Sequence, residues 1–149
     1  MTDRITVLLA DDHALVRRGF RRILEDDPAI EVVGEASNGE EAIRLFGELK
    51  PKVVVMDAAM PGTGGLAATR AILASQPDAT ILMLSMHSEE TLVKQAMAAG
   101  ARGYILKNAV DLDLAAAIKR AAGGETVLDP TVVKPAPLPG ERSRRLTPR

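Results

Sequence analysis

Five side chains in this 149-residue chain could do chemistry together: the carboxylates of Asp11, Asp12 and Asp57, the hydroxyl of Ser85 and the ammonium of Lys107. Each follows a short apolar run. Three carboxylates brought together repel one another unless a cation is present, and a hard ion with oxygen ligands answers that need. Mg²⁺ suits one or two carboxylates completed by waters and phosphate oxygens. The lysine adds positive charge and the serine a hydrogen bond. The set describes a pocket for a phosphoryl group beside a carboxylate nucleophile, for which Asp57 is the candidate. Singly, each residue has a plainer role. Asp57 could start a loop, Asp11-Asp12 or Ser85 could cap a helix, and Lys107 could lie on the surface.

Whether the five meet depends on the elements that carry them. Val53-Val54-Val55-Met56, entered through Lys52 and ending on Asp57, reads as a strand buried on both faces, as a central parallel strand is. Ile5–Ala10 is a first strand, and a helix from Ala14 follows. That helix is expected to turn Val16, Phe20, Ile23 and Leu24 inward and Arg17, Arg18, Arg21 and Arg22 to solvent. Ile30–Ala36 is a second strand. Ser37-Asn38-Gly39-Glu40 has the pattern of a capping box opening a helix through Leu49. After Asp57 comes a loop dense in turn residues, 58–65, then a helix from Leu66 to about Ser75. Thr80–Ser85 is a fourth strand, followed by a helix from Glu89 to Ala99 for which Ser88 is the cap candidate. Gly103–Leu106 is a fifth strand, and Asp111–Ala122 a fifth helix.

Five repeats of strand then helix imply an α/β fold, a doubly wound five-stranded parallel sheet in the order 2-1-3-4-5. In such a sheet the strand ends share one edge, so the five side chains converge there.

Composition supports this reading: 46% hydrophobic, 26% charged and only 2% aromatic, with a core left to aliphatic residues and Met. The absence of cysteine excludes disulfides, thiolate metal sites and Cys nucleophiles. No apolar run approaches the roughly 20 residues of a membrane span. The N-terminus lacks the order of a signal peptide, which makes a cytoplasmic protein without membrane contact the expectation. The net charge of −1 is uneven: five cations against Glu141 give residues 134–149 +4, leaving −5 for 1–133. Pro135, Pro137, Pro139 and Gly140 mark 134–149 as a linker following a domain at 1–133.

Asp11-Asp12, Asp57 followed by Met60-Pro61-Gly62 and Gly65, Ser85 and Lys107 resemble the receiver domain of two-component response regulators, over roughly residues 4–128. Leu8–His13, Leu84–His87 and Gly100–Lys107 look like its NarL/FixJ group, and Leu146-Thr147-Pro148-Arg149 like the opening of a LuxR-type helix-turn-helix domain. The resemblance implies a flavodoxin-like (CheY-like) fold. It implies that Asp57 takes a phosphoryl group from a sensor histidine kinase. It makes Asp12, Asp57 and the Ala59 carbonyl ligands of Mg²⁺, with Asp11 acting through water. Lys107 and Ser85 would meet the phosphoryl oxygens, and Tyr104 would turn inward as Ser85 moves. The output would be transcriptional, through DNA contacts of a domain missing after residue 149, whether cut by design or in nature. A phosphorylation-dependent homodimer could set the arginines of the first helix against Asp111 and Asp113.

The chain departs from the receiver pattern at Ala58-Ala59, at Thr63-Gly64, where extra glycine should loosen the loop, and at Asn108, where many receivers have proline. Other readings fit less well. A phosphatase of the haloacid dehalogenase type needs an Asp two residues after its nucleophile, and Ala59 stands there. Nucleotide-binding glycine motifs are missing. A phosphorylation-independent interaction module would not need five intact site residues.

Overall fold

In the computed structural model, described for residues 4–60, 62–87, 89–107 and 113–128, strands and helices alternate. They are β1 (Ile5–Ala10), α1 (Ala14–Glu25), β2 (Ile30–Ala36), α2 (Gly39–Leu49), β3 (Val53–Asp57), α3 (Gly65–Ser75), β4 (Thr80–Ser85), α4 (Glu90–Ala98), β5 (Gly103–Leu106), α5 (Leu114–Ala122) and β6 (Val127–Leu128). The strands pair in parallel in the order β2-β1-β3-β4-β5-β6. The expected order 2-1-3-4-5 is present, with one strand more. Val127 and Leu128 pair with Gly103 and Tyr104. Two residues are too short to show a period of two, so this edge strand left no pattern to read.

Side chains alternate across the sheet and divide the core in two. Leu8, Val54, Met56, Ile81 and Met83 face α2, α3 and α4, packing on Phe46, Ala68, Ile72 and Val93. Val7, Leu9, Val53, Val55 and Leu84 face α1 and α5, packing on Leu24, Leu114 and Ile118. Every residue of β3 is buried, Asp57 included. Burial of each valine there contributes on the order of 2 kcal/mol, so the strand that carries Asp57 is firmly seated in the sheet.

Two local expectations are corrected. The box opening α2 is displaced by one residue. Asn38 is the N-cap, accepting from the Glu41 N–H at 2.8 Å, and Glu41 Oε1 accepts in return from the Ser37 N–H at 2.7 Å. Glu40 is thereby released for another role. In α1, Phe20 and Leu24 turn toward the sheet, but Val16 and Ile23 are exposed. Arg17 and Arg21 instead share the carboxylate of Glu35 on β2, at 2.6 and 2.5 Å. The helix is rotated so that it turns a largely covered Arg17 and a half-exposed Arg21 toward a shared partner rather than two more aliphatics toward the core. The Ser88 cap, Pro61, Asn108, the start of the last helix at Asp111 and the linker at 134–149 lie outside the described residues.

Candidate functional site

The order of the sheet reverses between β1 and β3, the point at whose carboxyl edge doubly wound sheets place their ligands. Asp11 continues β1 by one hydrogen bond, its N–H donating to Ala36 at 2.9 Å. Asp57 ends β3, Ser85 ends β4, and Lys107 follows β5. Asp11, Asp57 and Lys107 meet. Lys107 Nζ lies 2.9 Å from Asp11 Oδ2, off the alignment of a hydrogen bond, and 3.3 Å from Asp57 Oδ2, to which it donates. All three side chains are nearly inaccessible to solvent.

Electrostatics follow from that burial. Desolvation, the larger effect, and the neighbouring Asp11 charge push the Asp57 carboxyl up to about 6, against the pull of the Ala59 N–H and Lys107. Burial opposes the Lys107 charge, but the two carboxylates of Asp11 and Asp57 beside it outweigh that and hold the ammonium above its ordinary range. Asp12 stands at the mouth, partly exposed, beside His13. One donor atom from each of Asp11, Asp12, His13 and Asp57 lies within 4.8 Å of the others. Three carboxylates, one with a buried oxygen that makes no hydrogen bond, form a donor set that fits a hard divalent cation.

The Ser85 side chain is engaged by the segment that follows β4. Its Oγ accepts from the His87 N–H at 3.0 Å, while the Tyr104 hydroxyl donates to the His87 carbonyl at 2.7 Å. Both grip the chain that leaves β4. Tyr104, expected to turn inward as Ser85 moves, is already inward and fully buried, and burial raises its hydroxyl pKa. Ala59 lies beside the nucleophile candidate, its N–H 3.1 Å from Asp57 Oδ1.

The loop after Asp57 is better held than its glycines suggested. Glu40 Oε2 accepts from the Thr63 hydroxyl at 2.8 Å and both carboxylate oxygens receive the Thr63 N–H. Gly65 is required by packing: a Cβ there would sit 2.1 Å from the Asp57 carbonyl oxygen. Sequence reasoning missed three contributors. Glu40 was assigned to a cap. Arg17, assigned to solvent, donates to the Asp11 carbonyl at 2.5 Å while Glu35 holds it in place. Those guanidiniums offset the burial of Glu35 and lower its pKa. His13 carried no signal beyond its place after the acidic pair.

The fold and this edge define a doubly wound α/β module with an acidic pocket closed by a lysine. The chain belongs to the response regulator receiver domain family, whose model matches residues 7–119. It is 50% identical over 121 residues to the response regulator UvrY of Escherichia coli K12, covering 81% of this chain and 56% of that one. It is 42% identical over 130 residues to the response regulator GacA of Pseudomonas aeruginosa, covering 87% and 61%. Among solved structures, a LuxR-family two-component response regulator from Aurantimonas superposes with a TM-score of 0.84 at 38% identity, over 87% of this chain and 93% of that one. The chain thus spans a little over half the length of the curated relatives it matches.

Proposed function

We propose that this receiver takes a phosphoryl group on Asp57 from a phosphohistidine of a sensor kinase. The observation that supports it is a buried carboxylate at the end of β3, flanked by a lysine and a second carboxylate. An Asp57 oxygen attacks phosphorus, the phosphorus–nitrogen bond breaks, and the imidazole departs with its electron pair. Asp12, Asp57 and the Ala59 carbonyl would hold Mg²⁺, with Asp11 acting through water. When bound, the ion supplies positive charge to the transferring oxygens. Lys107 keeps its charge throughout and meets a phosphoryl oxygen. Ser85 leaves the His87 N–H to meet another. About two negative charges are added, so each new oxygen needs a donor.

Incubation with Mg²⁺ and acetyl phosphate should add one phosphoryl mass to the intact protein and none to Asp57→Ala. An adduct surviving that substitution would sink the assignment.

Tyr104, already inward, would couple the site to the α4-β5-α5 side through the His87 segment that Ser85 also holds, a two-state element biased by local charge. The same residues catalyse loss of the group, so the module is a switch rather than an enzyme with a diffusing product.

Partners are read from the surface. On α1, the helix that follows the acidic pair, Leu15 and Ile23 are 83% and 56% exposed. That apolar stripe suits a kinase helix. Leu15→Asp with Ile23→Asp is expected to slow transfer from a phosphorylated kinase domain at least about tenfold and leave acetyl phosphate labelling unchanged. Equal slowing of both would count against docking there. Arg18 and Arg22 remain on α1 for a homodimer, since Arg17 and Arg21 already serve Glu35. Asp113 is engaged as the α5 N-cap and Asp111 lies outside the described residues. Sedimentation unchanged by beryllofluoride would dismiss the phosphorylation-dependent dimer.

The LuxR-family likeness supports a transcriptional output reached through a DNA-binding domain beyond this chain, with 1–133 as receiver and 134–149 as linker. No described helix is long and apolar enough to cross a membrane, and a cytoplasmic location accords with the proposed partners.

A further inference from the structure

His13 follows the acidic pair, and the phosphoryl-transfer reading leaves it unused. It occupies the N-cap position of α1 in extended conformation, yet its side chain caps nothing. Its backbone N–H is held by Asp11 Oδ1 at 2.8 Å, which folds the residue back toward the pocket. The ring nitrogen Nδ1 then lies 3.3 Å from Asp11 Oδ1 and 3.3 Å from Asp12 Oδ1. In a six-coordinate ion with bonds near 2.1 Å, adjacent donors stand about 3 Å apart and opposite ones about 4.2 Å. The 3.3 Å between Nδ1 and Asp12 Oδ1 is close to such an edge, and one donor atom from each of Asp11, Asp12, His13 and Asp57 lies within 4.8 Å of the others, which sets the imidazole among the acids. The ring is 62% exposed, so small rotations meet no packing cost.

We propose that His13 is a nitrogen ligand of this site, giving it a preference for Mn²⁺ and later first-row divalent ions over Mg²⁺ beyond that of a carboxylate pocket. The inference rests on reading the acidic cluster as a metal site. Mg²⁺ keeps oxygen ligands and waters, so the imidazole adds little to its binding. For the later ions an imidazole is a favoured donor, and one nitrogen changes the ratio of affinities. A simpler role for Nδ1 is a hydrogen bond to the two carboxylates. In that role it donates a proton where a ligand must offer a lone pair, and the two states are spectroscopically distinct.

The test is electron spin echo modulation of Mn²⁺ bound to the full chain. The expected result is ¹⁴N coupling of a directly bound imidazole in the wild type and its loss in His13→Ala. That variant should still bind Mn²⁺, roughly tenfold more weakly, with Mg²⁺ affinity within about twofold of the wild type. Bound Mn²⁺ without ¹⁴N coupling, or coupling that survives in His13→Ala, overturns the role of His13 and leaves the acidic site standing. Failure of Mn²⁺ to bind, or binding indifferent to Asp12→Ala, overturns the acidic-site reading itself and the proposal with it.

Discussion

Replacing Lys107 by methionine should cost the metal-free protein about 3 kcal/mol at pH 8. The residue is worth that much because of what it separates. Asp11 and Asp57 are both buried, and the ammonium touches one oxygen of each. Methionine fills a similar volume, so the loss is one of charge rather than packing. Two carboxylates left facing each other in a dry site cannot both stay ionised. One will take up a proton, which limits the cost and makes it depend on pH. The loss should shrink below about 1 kcal/mol near pH 4.5, where Asp57 is already protonated. Millimolar Mg²⁺ should recover part of it at pH 8, because a cation beside Asp12 and Asp57 offsets the same buried negative charge. Denaturant unfolding across pH, with and without Mg²⁺, measures all three. A loss that is the same at every pH would mean that Lys107 acts through packing, and the electrostatic account would fail.

Asp57→Asn should have the opposite sign. The Asp57 carboxyl is raised from 3.8 to about 6, chiefly by burial. In the folded protein it therefore holds its proton at pH values where the unfolded chain has lost it. Between those two values the folded state binds more protons, so its stability falls as pH rises. Above about pH 6 the full cost of a buried charge is present; below about pH 4 it is absent. Asparagine is neutral throughout. The variant should match the wild type near pH 4 and exceed it by roughly 2–3 kcal/mol from pH 7 upward. It should also lose the phosphoryl adduct entirely. Under the proposed function, the cost of ionising Asp57 in a buried site is tolerated for the sake of a nucleophile. Equal stability of wild type and variant at pH 7 would show that Lys107 and the Ala59 N–H fully compensate the burial.

Much of this was legible before any coordinate. The run 53–56 is apolar at every position, and only a strand covered on both faces asks for that. Alternation with helical periods then placed the ends of β1, β3, β4 and β5 on one edge, and Asp11, Asp57 and Lys107 did converge there. Where reading failed, the partner was distant in sequence. Arg17 and Arg21 looked like a solvated face because hydropathy ranks a guanidinium by itself, without Glu35 eighteen and fourteen residues away. The α2 box slipped by one residue because Glu40 and Glu41 satisfy the same local pattern. Only the approach of Thr63 decides which of them turns away.

The sequence alone therefore determined the fold class, the strand order through β5 and the identity of the strand-end residues. Those properties follow from periodicity and chain direction, which are local. Tertiary structure decided the protonation of Asp57, the bridging position of Lys107, the burial of Tyr104 against the His87 carbonyl and the turn of His13 toward the acids. Desolvation, Coulomb interaction and hydrogen bonding across elements have no value until the elements are assembled.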